Sequence, residues 1–300
     1  MTAQRILVNT PATLTATFYS GETPTDPGGT TATVTIYRGD GTALVTAATA
    51  THGSAGVFTY TLAAQTQLNS LRAVWTGTDG RQVTTYHEIV GGFYAELADI
   101  RALEGMSNTS KYPTAALEAA RAQAADRFEW ATRVAWVPRY ARETLDGNNR
   151  SDLTLTWPQP RQILSVTTDG TVVSDLTAFR LYSFGVIERT NGVWFLADVY
   201  GGGQNVTVEY THGYDRPPED IRWAFLTYVR YLLYETQSRI PDRASAFTTP
   251  DGTFQLVTAG FQRPTGLPDV DAILNARSHR VPGVASVTSA PGRPGLGRIY

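Results

Sequence analysis

Residues 206–234 have the sequence VTVEYTHGYDRPPEDIRWAFLTYVRYLLY, and the order of features within it decides the fold class. A strand over Val206–Tyr210 leads into a turn and Pro217-Pro218, after which a long helix begins. Prolines suit the first turn of a helix, and Glu219 and Asp220 occupy that turn, where the helix dipole favours acids. One apolar face of this helix comprises Ile221, Ala224, Phe225, Tyr228, Val229 and Leu232.

The same helix carries a second apolar face, formed by Trp223, Tyr231 and Tyr234. A helix that is apolar on two faces is usually buried on two sides. The larger face then belongs to the core of its own domain. We predict that Trp223, Tyr231 and Tyr234 form a contact between subunits.

Two helices are predicted upstream of this stretch. The first spans Tyr94–Glu104 and ends before Gly105, a residue type favoured just after a helix. The second spans Pro113–Val134 and has an alanine-rich apolar stripe, which permits another backbone to approach closely. Within it, Glu129 and Arg133 have the spacing of a favourable ion pair between successive turns.

Short strands occupy most of the sequence between the second helix and Val206, as the alternation of apolar and polar residues indicates. A hairpin is predicted around Asp251-Gly252, and a short helix over Pro268–Arg277. We therefore predict that residues 93–281 form an α+β domain, rich in helix, with a small β-sheet.

Residues 1–92 differ from the rest of the chain in composition, because they hold 22 Thr and only 9 of the 52 charged residues. Apolar residues alternate with threonine, which places one face of each strand on a core and the other in water. The pattern predicts six or seven short strands in an antiparallel, immunoglobulin-like β-sandwich, with Trp75 as a core aromatic. Gly91-Gly92 is expected to be a hinge to the next domain.

The last segment, residues 282–300, is predicted to be an extended C-terminal arm that is disordered when free. It contains seven Gly or Pro residues in 19 positions, two arginines and no acid, so it cannot bury a core. Fully extended, it would reach roughly 60 Å.

Composition excludes several functional classes. The net charge of −2 gives no general attraction to nucleic acid or anionic lipid. The absence of cysteine excludes disulfide scaffolds, thiolate metal sites and cysteine nucleophiles. No apolar stretch approaches the roughly 20 residues of a membrane-spanning helix, so no membrane partner is expected.

No catalytic, metal or cofactor site is predicted. The four histidines, His52, His87, His212 and His279, are far apart in sequence and show no metal-ligand spacing. Residues 146–152 have a calcium-loop composition but lack the acidic ligand that would complete such a loop, so a polar turn is the better interpretation. Neither the Gly-x-Ser-x-Gly motif of serine hydrolases nor the His-Glu-x-x-His motif of metalloproteases occurs, and we expect the protein not to be an enzyme.

Residues 93–277 resemble the head–tail connector (adaptor) proteins of long-tailed bacteriophages, and the resemblance rests on elements in the same order. These are the helix Leu117–Arg133, the segment LTLTWPQP (153–160) leading to ILSVTTDG (163–170), VTVEYTHGY (206–214), RPPEDIR (216–222) and RPTGLPDVD (263–271). The N-terminal immunoglobulin-like domain would be an addition to that pattern.

The resemblance implies a non-enzymatic virion protein that forms a ring, commonly of twelve copies, beneath the portal at the capsid–tail neck. Such a ring extends the channel through which genomic DNA passes without sequence recognition, and it joins the portal to a stopper or tail-completion protein. The major capsid protein is a further candidate partner. Before assembly the protein would be in the host cytoplasm. Family members bind the portal partly through a C-terminal segment, which corresponds by position here to Arg293, Arg298, Ile299 and Tyr300.

Two alternatives remain open at this point. The protein could be a carbohydrate-binding or adhesin module, with Tyr37 and Tyr86 as the candidate aromatic residues on strands. It could also be another ring of the neck, such as a stopper or a tail terminator. Those rings are usually dominated by β-structure, whereas two long helices are predicted here.

Overall fold

The computed structural model describes residues 3–192, 195–196, 203–235, 246–249, 252–255 and 264–279. Among these described residues, strand residues outnumber helical residues, 38% against 22%, and the strands form several separate sheets. The protein is therefore β-rich, and its described helices, which are separated along the chain, pack in one apolar cluster.

Ten strands lie within the described residues 3–90. They are β1 (Gln4–Leu7), β2 (Ala12–Thr17), β3 (Tyr19–Ser20), β4 (Thr23–Pro24), β5 (Ala32–Arg38), β6 (Ala43–Thr49), β7 (Thr51–His52), β8 (Val57–Leu62), β9 (Asn69–Gly77) and β10 (Gln82–Val90). One sheet has the order β1-β10-β9-β5-β6, and a second has the order β2-β8-β7. Both sheets contribute side chains to one apolar core, which includes Leu14, Phe18, Val34, Ile36, Phe58 and Trp75.

Trp75 is confirmed as a core residue: it is fully buried, and its indole N–H donates a hydrogen bond to the Thr85 hydroxyl. The expectation of purely antiparallel strands is wrong at one pair, because β1 lies parallel to β10. Parallel partners need no hairpin between them, so the alternation that predicts strands does not reveal this direction.

The helices are α1 (Leu97–Arg101), α2 (Thr114–Thr132), α3 (Glu219–Glu235) and α4 (Pro268–Ala276), and they share one apolar cluster. α2 begins and ends close to its predicted bounds, and Arg133 ends it in a left-handed conformation with φ 57°. The helix predicted over Tyr94–Glu104 is shorter than expected. Glu96 caps its start, since the Glu96 amide donates to the Asp99 carboxylate at 2.9 Å, and Tyr94 packs in the core before the helix.

The remaining strands surround a third apolar cluster. They are β11 (Arg139–Leu145), β12 (Asp152–Thr154), β13 (Pro160–Thr168), β14 (Thr171–Val172), β15 (Phe179–Tyr182), β16 (Val186–Arg189) and β17 (Val206–His212). They form a four-stranded sheet, β11-β17-β13-β14, and a three-stranded sheet, β12-β16-β15. The hairpin predicted at Asp251-Gly252 is confirmed as β18 (Ala246–Thr249) paired with β19 (Gly252–Gln255).

The N-terminal sheets contact the rest of the chain near Gly91. The Gly91 amide donates a hydrogen bond to the Pro138 carbonyl at 2.9 Å. A Cβ atom on Gly91 would lie 2.6 Å from the Pro138 ring, closer than real contacts allow. Gly91 is therefore held against its neighbour, unlike the free hinge expected from the sequence.

Candidate assembly interface

Ion pairs fix α3 to two neighbouring helices. Asp220, in its first turn, pairs with Arg277 just after α4 at 2.8 Å, and Arg222 pairs with Asp99 of α1 at 2.9 Å. The first turn also carries the acids that the helix dipole favours. These two ion pairs therefore anchor the start of α3 to α1 and to the end of α4.

The inner face of α3 packs against α1, α2 and α4. The six residues predicted for this face, Ile221, Ala224, Phe225, Tyr228, Val229 and Leu232, are all buried. The Phe225 ring stacks on Tyr94 with centroids 4.9 Å apart and meets the edge of Phe128 at 5.5 Å. Aromatic pairs of this geometry add stability beyond their buried area.

The opposite side of α3 presents the second predicted face to solvent. Trp223 is 52% exposed, Tyr231 37% and Tyr234 39%. Trp223 and Tyr234 are eleven residues apart, which is close to three full turns, so they share one stripe about 16 Å long. We call Trp223, Tyr231 and Tyr234 the outer aromatic face.

Two of these three rings are held in place. The Tyr234 hydroxyl donates to the Glu104 carbonyl at 3.3 Å, and the Arg230 guanidinium lies 5.4 Å from its ring. Gly105, with φ +81°, leaves room for that hydroxyl, because a Cβ there would lie 2.5 Å from it. Tyr231 stacks on Tyr228 at 6.2 Å. Pre-positioned aromatic side chains lose little entropy on binding, and such residues are enriched in protein interfaces.

The remaining residues predicted for binding, Arg293, Arg298, Ile299 and Tyr300, lie outside the described residues, as does the whole arm 282–300. The sequence analysis missed Trp130, which is 49% exposed on α2 with the Arg127 guanidinium 4.8 Å from its ring. Its position off the alanine stripe of α2 was the available signal.

A largely buried group of charged side chains connects β10 of the N-terminal sheets with α2 and β11. Arg139, only 4% exposed, pairs with Glu129 at 2.8 Å and also with Glu88 of β10. The Tyr94 hydroxyl donates to Glu129 at 3.2 Å. We call these four residues the junction cluster. The ion pair predicted between Glu129 and Arg133 is wrong, because Arg133 leaves the helix in the left-handed conformation and Arg139 takes its place.

Burial and mutual contacts shift the pKa values of several residues in the junction cluster; for Glu88, burial outweighs the nearby arginines and raises the pKa. Burial by itself lowers the pKa of Arg139, but Glu129 and Glu88 outweigh burial and leave that pKa above its usual value. Burial and the neighbouring Glu129 raise the pKa of Tyr94 well above its usual value, so its hydroxyl remains a donor. Arg139 is therefore the cation that two carboxylates require.

Two of the four histidines, His87 and His212, are buried and make contacts within the fold. His87 is buried and bonded to Thr85 at 2.8 Å and Gln4 at 3.0 Å, and burial lowers its pKa to about 4. His212 stacks on Trp157 at 5.1 Å; burial, aided by the charge of Arg139, lowers its pKa to about 3. Among the described side chains, no group of three or more His, Asp or Glu could hold a metal ion.

The aromatic residues considered for carbohydrate binding lie on one face of the five-stranded sheet. Tyr86 pairs with Arg72 across β10 and β9, and Arg72 pairs with Tyr37 across β9 and β5. The Arg72 guanidinium lies 4.6 Å from the Tyr37 ring. Tyr86 is 54% exposed, whereas Tyr37 is half-buried. The row thus offers one open ring instead of two coplanar ones.

No protein-family model and no curated protein matches the chain. Within the described part of the chain, no helix has the length and apolar character needed to cross a membrane.

Proposed function

We propose that the protein is a virion structural protein that forms an adaptor ring beneath the portal of a long-tailed bacteriophage. In this role it extends the DNA channel and joins the capsid vertex to a stopper or tail-completion protein. Residues 93–281 would form the adaptor domain, with an added immunoglobulin-like domain over residues 1–92 and a portal-binding arm over 282–300. The protein would act in the neck of the virion, without catalysis.

The order of elements supports the proposal. A long helix, α2, precedes a small antiparallel sheet, and β17 leads through Pro217-Pro218 into α3, followed by α4. This is the order on which the resemblance to adaptor proteins rests. The described helices pack together in one cluster beside the sheets, so α2 and α3 can present their outer sides to a neighbouring copy.

The single observation that carries the proposal is the outer aromatic face. Trp223, Tyr231 and Tyr234 project from a helix whose other side is buried and whose first turns are ion-paired. An aromatic side chain buries about 150–250 Å² in total, and these three residues, which are 37–52% exposed, have the remaining part of that area free for a contact. In a closed ring, the outer aromatic face of each copy would contact a different surface of the next copy. One type of contact, repeated around the ring, is then enough to join all the copies.

The carbohydrate-binding alternative has weaker support. It requires exposed coplanar aromatic rings, and the Arg72 guanidinium lies over Tyr37. Tyr86 remains as one open ring, and a single ring gives a small binding platform. A stopper or terminator ring would be more dominated by β-structure than this chain, which has the two long helices α2 and α3.

The test combines the purified protein with portal rings encoded in the same genome and examines the mixture by co-sedimentation and negative-stain microscopy. A ring capping the narrow end of the portal is the expected result, and counting its subunits would give the stoichiometry. A folded monomer that binds no portal would refute the adaptor role.

A pair of variants ties ring formation to the outer aromatic face. Trp223→Ser should reduce self-association on the portal, because it removes an aromatic side chain from the proposed subunit contact. The variant should still fold, since the Trp223 side chain is half exposed in the monomer and contributes little to folding. Tyr86→Ser is the matched control, since it removes an equally exposed aromatic from the N-terminal sheet. Equal ring formation by both variants would exclude the outer aromatic face as the subunit contact.

A further inference from the structure

A cavity of about 250 Å³ lies between β1, the connection after β10, and α2. Its apolar wall consists of Phe93, Tyr94, Ala122, Ala125, Val137 and Phe225. Its rim includes the exposed residues Gln4, Glu118 and Ala119, so the cavity opens to solvent. Cavities of about 150 Å³ with apolar walls bind benzene, so this one has room for a ring and a small polar group.

Three arginines line the cavity, and two of them are neutralised by neighbours. Arg139 is paired with Glu129 and Glu88 in the junction cluster. Arg5 pairs with Asp126, approaches Glu88 at 3.7 Å, and donates to a backbone carbonyl of α2 at 3.3 Å. Their charges and donors are therefore committed within the protein.

The third arginine, Arg121, has no such partner. Arg121 is 9% exposed, and its side chain makes no hydrogen bond or ion pair to the described residues. Its guanidinium instead stacks on the Phe93 ring at 3.6 Å from the centroid. Burial lowers the pKa of Arg121, while the carboxylates of Glu96 and Glu118 oppose that effect from a distance.

Because the Arg121 side chain lines the cavity and has no acceptor in the described protein, its N–H donors are available to a molecule in the cavity, while Phe93 covers one flat face of the guanidinium. Such a group binds a carboxylate in a planar, two-pronged geometry. The apolar wall of the cavity would contact the hydrocarbon part of an organic carboxylate. It would not replace the water around a compact inorganic anion.

We propose that this cavity binds a small organic carboxylate, with its carboxyl group on Arg121 and its apolar body against Phe93, Val137 and Phe225. The site is independent of the outer aromatic face, because α2 and the connection after β10 supply most of its residues. Binding here would also fill the space between the N-terminal sheets and the helices.

The experiment is a calorimetric titration of the full chain with benzoate, compared with benzyl alcohol and inorganic phosphate. Benzoate should bind at millimolar concentration or better. Benzyl alcohol and phosphate should bind at least tenfold more weakly, because the alcohol lacks the carboxylate and phosphate lacks the apolar body. No heat from benzoate, or equal binding of phosphate, would overturn the proposal.

Variants locate the site. Arg121→Gln should weaken benzoate binding at least tenfold, the loss expected when a charge-assisted hydrogen bond is removed. Arg133→Gln, at the exposed end of the same helix, is the charge-matched control and should bind as the parent does. Ala119→Leu narrows the opening without touching Arg121 and should also weaken binding; if Ala119→Leu and Arg121→Gln both bind benzoate normally, the site is elsewhere and the proposal fails.

Discussion

Replacing Arg139 by methionine should destabilise the protein strongly, because Glu129 would lose its paired cation and Glu88 would keep only Arg5, at 3.7 Å. Arg139 is 4% exposed, Glu129 12% and Glu88 22%, so water can solvate the carboxylates only in part. Removing one partner of a buried ion pair typically costs about 3–5 kcal/mol. This is a large fraction of the roughly 5–15 kcal/mol that stabilises a folded domain.

Two measurements test the Arg139→Met prediction. Urea unfolding followed by tryptophan fluorescence should show the loss in free energy. Hydrogen exchange of the Gly91 amide, which is bonded to the carbonyl next to Arg139, should accelerate by about a hundredfold or more if local opening becomes easier by that amount.

Arg142→Met is the matched control on the same strand. Arg142 is 42% exposed and pairs with Glu209 at 3.1 Å, so its loss should cost less than about 1 kcal/mol. Adding Glu129→Gln to Arg139→Met should recover part of the stability, because it removes one uncompensated charge. A loss as small as that of Arg142→Met, with no recovery in the double variant, would show that solvent screens the junction cluster and would refute the reasoning.

Three further predictions concern single sites. In the folded protein the pKa of His212 is lowered to about 3, whereas in the unfolded chain it has its usual value of 6.5. Between these two pH values only the unfolded chain takes up the proton, so the stability of the fold decreases as the pH falls from 6.5 towards 3. His212→Phe should remove up to about 1.4 kcal/mol of this loss per pH unit, as measured by urea unfolding at pH values above and below 6.5. Gly91→Ala should cost about 1–3 kcal/mol in thermal unfolding, because its Cβ would overlap the Pro138 ring. Gly105→Ala should cost about 1–2 kcal/mol for the left-handed backbone and should displace Tyr234, which tyrosine fluorescence or NMR can detect.

Local patterns predicted much of the secondary structure because their causes are local. The spacing of apolar residues correctly places α2 and the buried face of α3, and alternation with threonine locates the strands around Trp75. The pairing of β18 with β19 was predictable for the same reason, since the residue types Asp251-Gly252 suit a hairpin.

Pairings between distant parts of the chain were beyond reach. Glu129 has a basic neighbour at the right helical spacing, yet its partner is Arg139, which β11 returns to the helix after the backbone reverses at Arg133. The unpartnered state of Arg121 likewise depends on where Phe93 and the N-terminal strand come to lie. Such facts depend on tertiary packing, which residue spacing alone does not encode.

The parallel pairing of β1 with β10 determines how the N-terminal sheets respond to mechanical load. The chain enters at the start of β1 and leaves at the end of β10, and the strands run side by side through Gln4–His87 to Leu7–Val90. Tension applied along the chain therefore slides the two strands past each other instead of peeling them apart. All the hydrogen bonds between them share the force at once, so this end of the molecule acts as a shear clamp, whose lifetime under load is set by the rate of unfolding.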